Sequence, residues 1–305
     1  MRFQYPNFHR TVIAVFLFGV IVLISGTPCL FGNQDIWLVD TRTASWNSAD
    51  EQEFGKIRYF RLIQNRWERS DAATFFETQE PQTPLVVYTP GYTSTMSNTI
   101  EIGLGLTRLY DPTKTHRTVF WHWPSEKIYP RLGHDIGTKI PIACASGEYQ
   151  AMFLQRLKPE SKVALLGFSF GNRVICDAVA KWGVGNPTHL RIRLVLTASA
   201  TDRIWLADHS RHGDVPKLAE KILILFNPLD RVLKFYPLLY KGNHAPDALG
   251  RFGPPMQQIL PEYRDRIEAI NIQGHLGPKH RTIHHLETRM FRSWVNDSLL
   301  FSDTP

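Results

Sequence analysis

The chain has 305 residues, 43% of them hydrophobic and 21% charged, with a formal charge of +7 at pH 7. That composition excludes a largely disordered chain, and the scattered Lys and Arg residues, with no long basic run, no RNA-recognition signature and no paired zinc ligands, speak against nucleic acid as a partner. Cys29, Cys144 and Cys176 stand in no C-x-x-C arrangement, which removes thioredoxin-like and zinc-knuckle chemistry; Cys176 reads as a small core residue, and a Cys144–Cys176 bridge is compatible with an oxidising compartment.

Arg2, His9 and Arg10 precede an uncharged apolar run from Thr11 to Gly26. Its length lies between the apolar region of a signal peptide and a full bilayer span, so residues 1–32 read as a signal peptide or amino-terminal membrane anchor. Basic residues before the run and none directly after it set the amino terminus in the cytoplasm and the rest outside it. The expectation is an exported or membrane-anchored protein, with membrane contact through this segment. No Pro/Gly/Ser-rich linker divides residues 33–305, which read as one domain.

Along that domain, residues 36–42 and 56–63 predict early strands, the second alternating basic and apolar as an edge or antiparallel strand does. Residues 84–92 are a buried run ending in a turn, and Ile100, Ile102, Leu104, Leu106 and Leu109 mark an amphipathic stretch after it. Residues 118–123 predict the next strand, 145–157 a helix, and Val163 to Leu166 a strand buried on both faces. Further strands are predicted over 190–197, 221–226 and 266–272, and a closing amphipathic helix near 290–300. Residues 125–141 and 236–261, rich in Gly, Pro and aromatics, read as loops overhanging a site. Strands alternating with helices imply βαβ units: an α/β fold with a mainly parallel sheet, helices on both faces, and function at the carboxyl ends of the strands.

Gly167-Phe168-Ser169-Phe170-Gly171 joins the buried run to a helical pattern marked by Val174, Ile175, Ala178 and Val179. A strand-to-helix turn this tight holds the serine in a strained conformation, and the flanking glycines let strand and helix approach. Ser169 is therefore the candidate nucleophile. A serine hydroxyl needs a histidine to take its proton and a carboxylate to orient the imidazole. In the order Ser, acid, His, the acid follows a strand after the serine: Asp230, after 221–226, is the first candidate and Asp202 its rival. The base lies after the last strand among His275, His280, His284 and His285, with His280, in mid-loop, the first choice. His280 and His284, four apart, also permit a metal reading, although no H-E-x-x-H pattern exists. Oxyanion donors are expected from the backbone N–H of Phe170, directly after the serine, and of Tyr92, in the Pro90-Gly91-Tyr92 turn.

These motifs resemble the α/β-hydrolase superfamily over nearly the whole chain after residue 35. Gly91-Tyr92, Trp123-Pro124-Ser125 and Gly167 to Val174 are similar to motifs of a bacterial branch of unknown function, with Pro90 where that branch has histidine and Phe168 and Phe170 making the elbow more apolar. The resemblance implies an α/β-hydrolase fold and a Ser-His-Asp triad, with no cofactor, and names no substrate. The interval from Ser169 to Asp230 leaves no room for a large lid domain. Trp121, Trp123, Phe168, Phe170 and the 236–261 segment are expected to roof the site and favour an apolar acyl or aromatic substrate. The reading is a serine hydrolase of ester or thioester bonds; the alternative is a non-catalytic α/β-hydrolase-like binding or scaffold domain at the membrane.

Overall fold

The structure, a computed structural model, describes residues 34–184, 189–239, 246–282, 284, 291, 293 and 295–301. Strands β1 (Asp35–Asp40), β2 (Arg58–Ile63), β3 (Arg66–Ser70), β4 (Leu85–Thr89), β5 (Arg117–His122), β6 (Lys162–Phe168), β7 (Arg191–Thr197), β8 (Lys221–Phe226) and β9 (Ile267–Asn271) form one sheet in the order β3-β2-β1-β5-β4-β6-β7-β8-β9. From β1 to β9 every neighbouring pair is parallel, while β2 runs antiparallel to β1 and β3 to β2. The order steps from β5 back to β4 and on to β6, so the carboxyl ends of β4 and β6 lie side by side. This is the α/β-hydrolase fold.

The helices, in chain order, are α1 (Glu51–Phe54), α2 (Ala72–Glu77), α3 (Met96–Thr107), α4 (Leu132–Gln155), α5 (Gly171–Trp182), α6 (Val215–Leu218), α7 (Leu249–Phe252), α8 (Pro261–Arg264) and α9 (Gln273–Leu276). Strand alternation sends Ile36, Leu38 and Phe120 to one face, where Met96, Ile100 and Leu104 of α3 cover them. Trp37, Val39, Val119 and Trp121 point the other way into the larger core, which also holds Phe153 of α4 and Val174 and Ile175 of α5. Among the described residues no helix is long and apolar enough to cross a membrane. Residues 1–32 lie outside the described residues, as do 290, 292 and 294 of the closing helix expected near 290–300; within that stretch Val295–Leu299 forms a short π-helix.

Four expectations are corrected. The edge is a hairpin rather than one strand: Gln64 and Asn65, with φ of 48° and 63°, form a two-residue turn between β2 and β3. Gln-Asn lacks the glycine that usually marks such a turn. Residues 132–141 are not loop but the first turns of α4, which carries Pro141 inside it. Burial of Ile136, Ile142 and Ala143 outweighs the lost backbone hydrogen bond of the proline. Trp121 and Trp123 do not roof a site, for both are fully buried. β5 is an interior strand whose two faces are both covered, so neither alternation reaches solvent. Cys144 and Cys176 are free thiols, not a bridge.

A buried charge cluster closes the carboxyl ends of β1 and β5. Asp40 receives Arg42 Nε at 2.9 Å and Arg58 at 3.0 Å. Burial alone would raise its pKa, but the hydrogen bonds and charge of Arg42 win and hold it below the usual carboxylate range. Beside it His122 is wholly buried, with Nδ1 3.0 Å from Thr99 Oγ1 and Nε2 3.8 Å from Glu126. Burial, and then the charge of Arg42, push His122 down to about 4, against the pull of Asp40 and Glu126. The unfolded chain takes up this proton as pH falls through about 6.5, whereas the native state resists until about 4. The stability that neutral His122 contributes is therefore complete above pH 6.5 and lost between there and pH 4. Urea titrations at pH 7 and pH 4.5 are expected to show wild type losing roughly 2.5 kcal/mol more than His122→Gln. An equal loss in the two proteins would show that another group carries the acid sensitivity.

Candidate active site

The site is built from β6 outwards. β6 lies between β4 and β7, buried from Val163 to Phe168, and ends at Ser169, whose φ of 51° is left-handed. A non-glycine residue there carries strain of about 1–3 kcal/mol and persists only where its surroundings over-determine it. They do so here. Ser169 N–H donates to Thr197 O at 3.0 Å, and the Ser169 carbonyl accepts from Ala200 N–H at 3.2 Å and Asn172 Nδ2 at 3.1 Å. Asn172 Nδ2 also reaches Thr197 O at 2.8 Å. The flanking glycines are required by close approach: a Cβ at Gly167 would stand 2.5 Å from Asn172 Oδ1, and one at Gly171 would stand 2.2 Å from Thr89 O.

Beyond β8 the chain turns through Asn227-Pro228-Leu229-Asp230. Asp230 is buried, and its Oδ1 accepts the N–H groups of Val232 and Leu233, both at 2.9 Å. Its Oδ2 lies 2.6 Å from His280 Nδ1, and His280 Nε2 lies 3.1 Å from Ser169 Oγ. An ionised carboxylate can only accept, so Nδ1 carries the proton and Nε2 presents its lone pair to the serine hydroxyl. Two links hold the acid loop against the histidine loop: Asn227 Nδ2 donates to Gly277 O at 2.7 Å, and Arg231 N–H reaches Pro278 O at 3.4 Å. The ring of Phe168 covers the imidazole at 5.2 Å between centroids.

The rival residues stand elsewhere. Asp202 caps the short 3-10 helix Arg203–Leu206, accepting from Ile204 N–H at 3.1 Å. His275 is exposed on α9, and His285 lies outside the described residues. Both ring nitrogens of His280 are engaged by Ser169 and Asp230, so none is left for the metal pairing with His284 that spacing permits.

The Pro90-Gly91-Tyr92 turn lies against the elbow, since a Cβ at Gly91 would stand 3.0 Å from Ser169 Cβ. Trp123 holds this turn from below, its indole N–H donating to Pro90 O at 2.8 Å. Among the described residues neither Tyr92 N–H nor Phe170 N–H donates to another backbone carbonyl. Phe170 is the N-cap of α5, whose positive dipole end therefore faces the same space.

Two supports escaped the sequence reading. The Tyr92 hydroxyl donates to Asp135, in the first turn of α4, and Asp135 Oδ1 also accepts from Ile128 and Tyr129 N–H at 2.7 and 2.6 Å. Burial, that hydrogen bond and the carboxylate charge push the Tyr92 phenol up, so it stays a donor and ties the turn to α4. The signal was present as Ile136, Ile140 and Ala143 at helical spacing, but Pro141 hid it. The second support is Arg173, fully buried on α5, with its guanidinium 5.4 Å from the Phe170 ring and 4.6 Å from the Trp205 ring. A surface hollow lined by Leu190, Arg191, Leu218 and Arg266 lies at the amino-terminal ends of the strands, away from Ser169.

No family model and no curated protein sequence matches the chain. Among solved structures it is similar to the product of gene lin2722 from Listeria innocua, at 10% identity over 73% of this chain and 95% of that one, with a TM-score of 0.39. It is similar to an inhibited esterase B from Lactobacillus rhamnosis, at 11% identity over 84% and 82% of the two chains, with a TM-score of 0.37. An iodinated complex of acetyl xylan esterase is similar at 12% identity over 70% and 91%, with a TM-score of 0.25. The chemistry of this chain rests on its own geometry.

Proposed function

We propose that the protein is a serine hydrolase acting on ester or thioester bonds, with Ser169 as nucleophile, His280 as base and Asp230 as orienter. One observation carries the reading: the continuous line from Ser169 Oγ through His280 to Asp230, with spacings of 3.1 and 2.6 Å, at a strained elbow. As Oγ bonds to the acyl carbon, its proton passes to His280 Nε2 and the carbonyl π pair moves onto oxygen. The N–H groups of Tyr92 and Phe170 are the donors for that oxyanion, each contributing about 10²–10³ in rate. Collapse expels the alcohol or thiol, which takes the proton from His280 and leaves an acyl-serine. Water then attacks by the same route, returning the serine and releasing the acid. No cofactor enters any of these steps.

The elbow and Gly91-Tyr92 support assignment to the bacterial α/β-hydrolase branch they resemble. Phe168 and Phe170 beside the serine support an apolar acyl group as substrate, and the amino-terminal apolar run supports export or anchoring at a membrane. A fluorophosphonate probe tests the reading. Wild-type protein is expected to be labelled at Ser169, as located by peptide mapping, with no label on Ser169→Ala. Absence of label on well-folded wild type would favour the binding-domain alternative.

A further inference from the structure

The segment that follows Asp230 has a surface that the hydrolase reading does not use. Leu233–Leu239 is a 3-10 helix, with Phe235 N–H on Val232 O at 3.1 Å. Three residues per turn stack i over i+3. The sequence therefore separates into rows. Leu233 and Tyr236 are buried, and Leu239 packs on the core behind them. Val232, Phe235 and Leu238 form the outward row, 56%, 59% and 77% exposed, and Leu229, one turn earlier, is 53% exposed. Arg231 and Lys234, both exposed, form a cationic row beside it. Arg251 adds a third cation at its root, donating to Pro228 O at 3.2 Å and lying 4.8 Å from the half-exposed Phe252 ring.

Single exposed apolar residues are ordinary, but three in register beside a row of cations, with Leu229 exposed in the turn before them, are not. We infer that this stripe docks the protein on an anionic lipid surface, with the apolar row entering the acyl boundary and Arg231, Lys234 and Arg251 meeting the headgroups. An apolar row flanked by basic residues is the pattern that binds such an interface. Charge complementarity selects the occupant, because a second copy of the chain would bring two cationic rows together. The stripe also sits at the rim of the site: Asp230 caps its first turn through Val232 and Leu233 N–H, and Arg231 is bonded to the histidine loop. Docking there brings the mouth of the Ser169 site to the membrane surface.

The test uses residues 31–305, a compact unit holding the whole described sheet, because the omitted apolar run would itself bind lipid. Sedimentation with vesicles of phosphatidylcholine, or of phosphatidylcholine with 30% phosphatidylglycerol, reads binding directly. The protein is expected to sediment with the anionic vesicles and not with the neutral ones, and to be released by salt. F235S/L238S is expected to lower partition at least tenfold, and R231E/K234E by a similar factor at about fivefold or more per charge, both with unchanged circular dichroism. Ser169→Ala is expected to bind as wild type does, so failure of the hydrolase reading leaves this result untouched. Equal partition of wild type and F235S/L238S would overturn the inference, as would no binding by the folded protein. Concentration-dependent dimerisation abolished by F235S/L238S, without vesicle binding, would give the stripe to a second copy instead.

Discussion

Asp230→Asn is expected to lower kcat on a soluble p-nitrophenyl ester by about 10⁴-fold with little change in melting temperature. The argument turns on which atom of the new amide faces which partner. Oδ1 accepts two backbone N–H groups, from Val232 and Leu233, at 2.9 Å. An amide placed with NH₂ toward those groups would set donor against donor, so its oxygen is pinned there and its NH₂ is aimed at His280 Nδ1. That nitrogen must then accept, and the imidazole proton moves to Nε2. Nε2–H pointing at Ser169 Oγ has no lone pair to receive the serine proton, so the base is disabled while the loop stays intact. Asp230→Ala is a different experiment, because it also strips two capping hydrogen bonds and is expected to cost about 1–2 kcal/mol of stability. Activity of Asp230→Asn within tenfold of wild type would remove Asp230 from the orienting role, and the assignment of His280 with it.

What the sequence disclosed follows the range of the interactions concerned. The elbow is local: a buried run, a serine between two glycines and a helical pattern lie within twenty residues, and the backbone φ of Ser169 is the strain that pattern implies. The acid is nearly as local, since Asp230 sits four residues beyond a strand whose apolar run is unmistakable. The histidine is not local. Four histidines share one short stretch, and His280 is set opposite Asp230 by Asn227 on Gly277 and Arg231 on Pro278, contacts between loops fifty residues apart. The first turns of α4 were hidden because Pro141 opposes helix by its own chemistry, and burial of Ile136 and Ile142 overrides it. Tyr92 and Asp135 could not be paired while 125–141 read as loop. Trp121 and Trp123 read as site residues from their bulk alone, since a sequence does not tell which strands lie inside a sheet.

Gly171→Ala is expected to cost about 3 kcal/mol of stability, a fall of roughly 10 °C in melting temperature, and to lower kcat by about 100-fold in the protein that remains folded. The added Cβ would lie 2.2 Å from Thr89 O and 2.7 Å from Pro90 O, both backbone atoms, so no side-chain rotation can relieve the contact. Either β4 or α5 has to move. Pro90 is held by the Trp123 indole and leads directly into Gly91-Tyr92, so the displacement passes to the Tyr92 N–H, one of the two proposed oxyanion donors. Movement of α5 instead shifts Phe170 N–H, the other donor, together with the elbow. Both routes open the distance between the donors and the acyl carbon's position, which is why activity should fall further than lost stability explains. Gly105→Ala is the control: it lies inside α3 with nothing within 4 Å of the new Cβ. It is expected to gain up to about 1 kcal/mol from helix propensity and to leave kcat unchanged. Equal melting temperatures for Gly171→Ala and wild type would mean that the Thr89–Gly171 approach has room the geometry denies, and full activity at lowered stability would uncouple it from the oxyanion donors.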